Sequence, residues 1–138
     1  MKKMINTAGI YGILALASGV VARELTKAYN FNGLGTLGLS HVHLMAMGTM
    51  LFLILALFAK NTDLMKNSKF KKFNLVYNIG LPFAVIMMYV RGITQLKGVI
   101  LSSGMEHMIS GMAGLAHILM TVGLVFLFFA LKEISQEQ

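Results

Sequence analysis

The chain has 138 residues, of which 57% are hydrophobic and only 12% charged, with a mean hydropathy of +0.73. A soluble globule must cover itself with polar side chains, so this balance excludes an ordinary soluble domain and points to a membrane protein. There is no cysteine, which excludes disulfides, iron–sulfur clusters and thiolate metal sites and leaves histidine, carboxylate and methionine as possible ligands. The net charge of +7 does not imply nucleic acid, because the basic residues fall where membrane topology puts them.

A spanning helix needs about 20 predominantly apolar residues. Four stretches qualify, Ile5 to Ala22, Leu37 to Ala59, Phe73 to Leu96 and Met105 to Leu131, and they predict one all-α, four-helix transmembrane bundle over residues 1–138. Lys2 and Lys3 precede the first apolar run, which resembles a leader peptide but is read as the first span. Gly9, Gly12, Leu16, Gly19 and Arg23 recur at intervals of three and four, so they are expected on one face of helix one, where a neighbouring backbone or a flat ligand can approach. Gly33, Gly35 and Gly38 mark a turn-rich connection into helix two. Lys60, Lys66, Lys69, Lys71 and Lys72 crowd the second connection and Lys132 follows the last span; the positive-inside rule then makes this loop and both termini cytoplasmic. Within helix three, Pro82 predicts a kink near Asn78. The apolar stretch from Gly98 to Gly104 is expected at the outer interface as an extra turn of helix.

Ionisable groups inside a membrane are costly and mark functional sites, and here they are Arg23, His41, His43, Arg91, His107 and His117. Counting about 1.5 Å per residue from the cytoplasmic ends puts His43 roughly 24 Å up helix two and His117 roughly 21 Å up helix four. His41, Arg23 and Arg91 stand about 27 Å up, and His107, at about 36 Å, reaches the outer water boundary. His41 and His43 are two apart and point about 200° away from each other on a regular helix, so they cannot share one metal there. The His117 stripe contains Ser110, Ala113, Gly114 and Thr121, small and mildly polar. The Arg91 stripe of Tyr77, Gly80, Ala84, Met88 and Gln95 is too polar to face lipid. Two histidines at one depth, small residues beside them and arginines above describe a flat, dianionic ligand, haem, with an imidazole on each side of the iron and Arg23 and Arg91 pairing with the propionates. The twelve methionines read first as flexible core fillers.

The segment His41-Val-His43-Leu44-Met45-Ala46-Met47-Gly48 resembles the His-x-His-Leu-x-x-x-Gly segment of small four-helix bacterial membrane proteins related to subunit I of haem-copper oxidases. Met105 to Ile118, with His107, Gly111, Gly114 and His117, and the stretch Val90-Arg91-Gly92 are similar to the matching parts of one uncharacterised family of that kind. The resemblance implies a haem-b-like site between helices two and four in a bacterial plasma membrane, with a histidine from each helix. It does not imply oxygen reduction, since four histidines cannot supply a second haem and a three-histidine copper site. His41 and His107 stay open: ligands of a second metal, a substitute for His43, or interfacial residues. The resulting expectation is a homo-oligomeric haem protein of electron transfer or redox sensing, its redox partner unspecified. Its rivals are an outer-face metal-binding or transport protein using His41, His43 and His107, and an accessory subunit without cofactor.

Overall fold

The computed structural model describes residues 1–33 and 35–136. They form four long helices and no strand: α1 (Lys2–Ala28), α2 (Thr36–Asn61), α3 (Ser68–Leu96) and α4 (Ser103–Gln136), each long and apolar enough to cross a membrane. A short 3-10 turn, Leu64–Lys66, lies between α2 and α3. All four outrun their apolar cores, because local hydrogen bonding rather than hydropathy ends them. Asn30, in the left-handed region at φ 47, closes α1 as Phe31 N donates to the Thr26 carbonyl at 3.0 Å and Asn30 N to that of Lys27 at 3.2 Å. Gly98, at φ 59, closes α3 in the same way, with Val99 N on Thr94 O at 3.1 Å and Gly98 N on Gln95 O at 3.1 Å.

Beyond Gly98 the expected extra turn of helix is not formed: residues 99–102 are irregular and Ile100 is 97% exposed. A left-handed residue reverses the chain, so the apolar residues that follow cannot continue the helix. At the other end of α3, the Asn67 side chain accepts from Lys69 N at 2.8 Å and Phe70 N at 3.1 Å. Its amide also donates to Glu133 of α4 at 2.9 Å, and the Lys69 ammonium pairs with the same carboxylate. This knot ties the start of α3 to the end of α4. Helix α3 runs through Pro82 without a break.

The buried side of α1 is Met4, Ala8, Tyr11, Ala15, Ser18 and Ala22, not the stripe expected from its glycines. Gly12 and Gly19 do approach α2, but a Cβ on Gly9 would meet nothing and Leu16 is 63% exposed. Tyr11 decides the difference, since its ring lies against Gly48 of α2, where a Cβ would stand 2.6 Å from Tyr11 Cγ. Leu37 of α2 sits as closely on Gly92 of α3. From the Gly48 contact toward the lysine-rich end, Tyr11, Phe52, Phe73 and Tyr77 pack ring against ring with centroids 5.1 to 6.3 Å apart.

Polar groups in this core are matched donor to acceptor. The Tyr89 hydroxyl donates to Ser18 at 2.9 Å and Ser40 donates to the Leu37 carbonyl at 2.6 Å. Ser40 has then used its one hydrogen, so Ser18 is the donor in the 2.6 Å contact between them. Tyr11 donates to Asn78 Oδ1 at 2.8 Å. Helices α1, α2 and α3 thus form a three-helix core, while α4 packs almost wholly on α3 through Gly80 against Met120 and Gly123 against Tyr77.

Candidate functional site

Helices α2 and α4 each lean on α3 without extensive contact between them, which makes the α3 face they share the floor of a candidate cleft. The floor is the stripe of Tyr77, Ala84, Met88, Arg91 and Gln95, whose polar members reach both walls. Tyr77 donates to the Met47 carbonyl of α2 at 3.1 Å while its Cβ side lies against Gly123 of α4. Arg91 Nη2 donates to Ser110 of α4 at 2.7 Å, and Gln95 Oε1 accepts from the Thr36 amide and hydroxyl at the start of α2, at 3.0 and 2.9 Å. Between these ties lie Ala84 and Met88, both buried.

His43 and His117 stand on the two walls. His43 is one turn from Met47, and His117 is two turns from Ser110, so each shares a face with the residue that α3 reaches. Their depths follow from the antiparallel registers. Gly80 against Met120 and Gly92 against Leu37 put His117 at the height of Phe83 and His43 at the height of Ile86, within about 4.5 Å of one level at about 1.5 Å per residue.

The two rings are held alike. His43 Nδ1 lies 2.9 Å from the Leu39 carbonyl and His117 Nδ1 lies 2.7 Å from the Ala113 carbonyl, each four residues back on its own helix. A carbonyl only accepts, so Nδ1 carries the proton and Nε2 is left with a free lone pair. A metal-binding imidazole takes this tautomer when its other nitrogen donates to a backbone carbonyl. His43 is half-buried and His117 exposed.

The remaining predicted residues go elsewhere. His41 turns to α1, its Nδ1 2.8 Å from the Ala15 carbonyl and its ring over Gly19. His107 is exposed in the first turns of α4, about ten residues from His117. The set His41, His43 and His107 is therefore not assembled, and no group of three histidines or carboxylates converges among the described residues. The expected arginine pair is also separated. Arg23 shares the depth of Arg91 but lines a groove between α1 and α2 together with His41, on the far side of the three-helix core. Depth alone had joined the two, whereas the direction each faces divides them. Gly114 has open space where a Cβ would stand, beside Ser110 on the upper, exposed part of α4.

Directly after His43 the helix widens. Leu44–Met50 is a π-helical segment, a rare form that is frequent at functional sites. Two side chains serve its loosened carbonyls: Tyr77 donates to that of Met47, and Thr49 Oγ1 to that of Leu44 at 3.4 Å. Sequence periodicity gave no sign of this segment.

The sequence matches, over residues 1–134, the family described as "Protein of unknown function (DUF2871)". The chain belongs to that family. No curated protein and no solved structure matches it. The family match reaches into all four helices and covers every residue of the candidate cleft.

Proposed function

We propose that this protein binds a b-type haem in the cleft between α2 and α4, with His43 and His117 as axial ligands, and serves electron transfer or redox sensing. The observation that carries the reading is the matched pair of imidazoles: two helices that do not pack on each other bring them to one depth, each with Nδ1 engaged and Nε2 free. When bound, such a group supplies a one-electron couple whose potential depends on ligation and on nearby charge. The protein's part is to orient both rings through the Leu39 and Ala113 carbonyls. Arg91, anchored by Ser110, offers a guanidinium to a carboxylate at the outer end. The resemblance of the His41 to Gly48 segment to relatives of haem-copper oxidase subunit I favours the same reading.

The site belongs to a bundle with both termini and the lysine-rich loop on the cytoplasmic side of a bacterial plasma membrane, as the lysine distribution favours. A second copy covers the open side of the cleft, since α4 has one neighbour in the protomer and His117 is exposed. The purified full-length protein is expected to show a Soret band and a six-coordinate low-spin spectrum unchanged by carbon monoxide. His43→Ala and His117→Ala each lose the haem or turn it high-spin, while His41→Ala and His107→Ala keep the low-spin spectrum. An unaltered low-spin haem in His117→Ala would falsify the ligand assignment, and haem-free protein after expression with excess haem would remove the reading as a whole.

A further inference from the structure

At the end of the bundle opposite the lysine-rich loop, the last turns of α1 and the first turns of α2 diverge around an open groove of about 640 Å³. Its walls are Gly19, Ala22, Gly38, Phe31 and the His41 ring, and its polar lining is Arg23, Thr26, Lys27, Asn30 and Asn32. Small residues make the groove: Gly19 lies under His41, where a Cβ would stand 3.2 Å from Nδ1, and Gly38 leaves the α2 side open.

The charge in the groove is one-sided. Arg23 and Lys27 are one turn apart on α1 and therefore on one face. Neither makes an ion pair among the described residues, where the pairs are Lys66 with Asp63 and Lys69 with Glu133. No carboxylate lines the groove. Thr26 has spent its proton on the Ala22 carbonyl at 2.7 Å, so the donors left are the guanidinium, the ammonium and the Asn30 and Asn32 amides. A planar fork, a mobile point charge and two amides from different parts of a turn suit an oxyanion with oxygens in several directions better than a flat carboxylate. At a helix end in the headgroup zone, with Phe31 and Ala22 as apolar walls, that oxyanion is a phosphate.

We propose that this groove is a phosphate-binding site that holds the headgroup of an anionic phospholipid, with Arg23 and Lys27 as its principal contacts. It is independent of the haem reading, since it lies on the other side of the three-helix core from the His43 and His117 cleft. The test uses the full-length protein in detergent, with bound lipid counted by native mass spectrometry and thermal stability followed by intrinsic fluorescence. Phosphatidylglycerol is the probe, with phosphatidylcholine and inorganic phosphate as comparisons. Phosphatidylglycerol is expected to bind and raise the melting temperature, at least tenfold more tightly than phosphatidylcholine. Arg23→Gln and Lys27→Gln each weaken it by about tenfold, the loss of one charge-assisted contact, while Lys66→Gln in the opposite loop leaves it unchanged. Should Arg23→Gln fail to fold, Lys27→Gln alone decides, because Lys27 is exposed at the helix end. Equal phosphatidylglycerol binding by Lys27→Gln and wild type, or stabilisation by inorganic phosphate with none by phosphatidylglycerol, would overturn the proposal.

Discussion

The two arginines carry the same charge at the same depth and have different surroundings. Arg91 is half-buried, reaches across to Ser110 and stands above Met88 and Ala84. Arg23 is exposed on a groove that α1 and α2 enclose. A guanidinium near a haem edge holds a propionate and raises the iron potential by favouring the more negative, reduced state. On the proposed haem reading, Arg91→Leu is therefore expected to weaken haem retention about tenfold, as befits one charge-assisted contact, and to lower the midpoint potential. Arg23→Leu leaves both as they are. Redox titration and a haem-transfer assay with apomyoglobin read the two effects, and equal losses in the two variants would place both side chains, or neither, beside the haem.

At the scale of the helices, close approach depends on a few positions without a Cβ. Gly48 lies within the π-helical segment and admits the Tyr11 ring, whose Cγ and Cβ would stand 2.6 and 2.7 Å from an added methyl. These atoms belong to the stem of a buried side chain held at its far end by Asn78, so they cannot swing away. Gly48→Ala is expected to cost about 1–3 kcal/mol, the usual penalty for overpacking, and to lower the melting temperature in detergent. Gly9→Ala, where nothing lies within 4 Å, is neutral or slightly stabilising through helix propensity. The four spans were legible because each needs only a long apolar run, and the helix ends were not, because Asn30, Asn67 and Gly98 set them through backbone geometry. The common level of His43 and His117 was legible from rise per residue, and the structure keeps it. The separation of Arg23 from Arg91 was not, since lipid-facing and packed sides of a membrane helix have nearly the same composition. The π-helical segment was hidden for another reason: the Tyr77 hydroxyl that serves it is thirty residues away.

For the whole molecule, orientation is a question of where the cations lie. Eight of the twelve lysines and arginines gather at one end: Lys2 and Lys3 at the start of α1, Lys60, Lys66, Lys69, Lys71 and Lys72 around the α2–α3 connection, and Lys132 near the end of α4. The opposite end has Lys27 and Lys97 beyond the apolar cores, with Arg23 and Arg91 turned toward clefts. Two of the eight also rest against α4. Lys69 pairs with Glu133 and stands 5.3 Å from the Phe129 ring centroid, and Lys72 stands 5.7 Å from that of Phe126, so α3 and α4 present their cations together at one boundary. In the proposed orientation this boundary is the inner one, because lysine and arginine near helix ends are retained in the cytoplasm. A reporter inserted after Lys66, or fused after Gln138, which lies outside the described residues, is expected to read cytoplasmic, and one inserted between Asn30 and Gly35 is expected to read external. Replacing Lys66, Lys71 and Lys72 with glutamine should blur the assignment, whereas removing Lys27 and Lys97 should sharpen it. An external reading after Lys66 would invert the protein, and the proposed lipid groove would then face the cytoplasmic leaflet, with His43 and His117 still level with each other across the α3 floor.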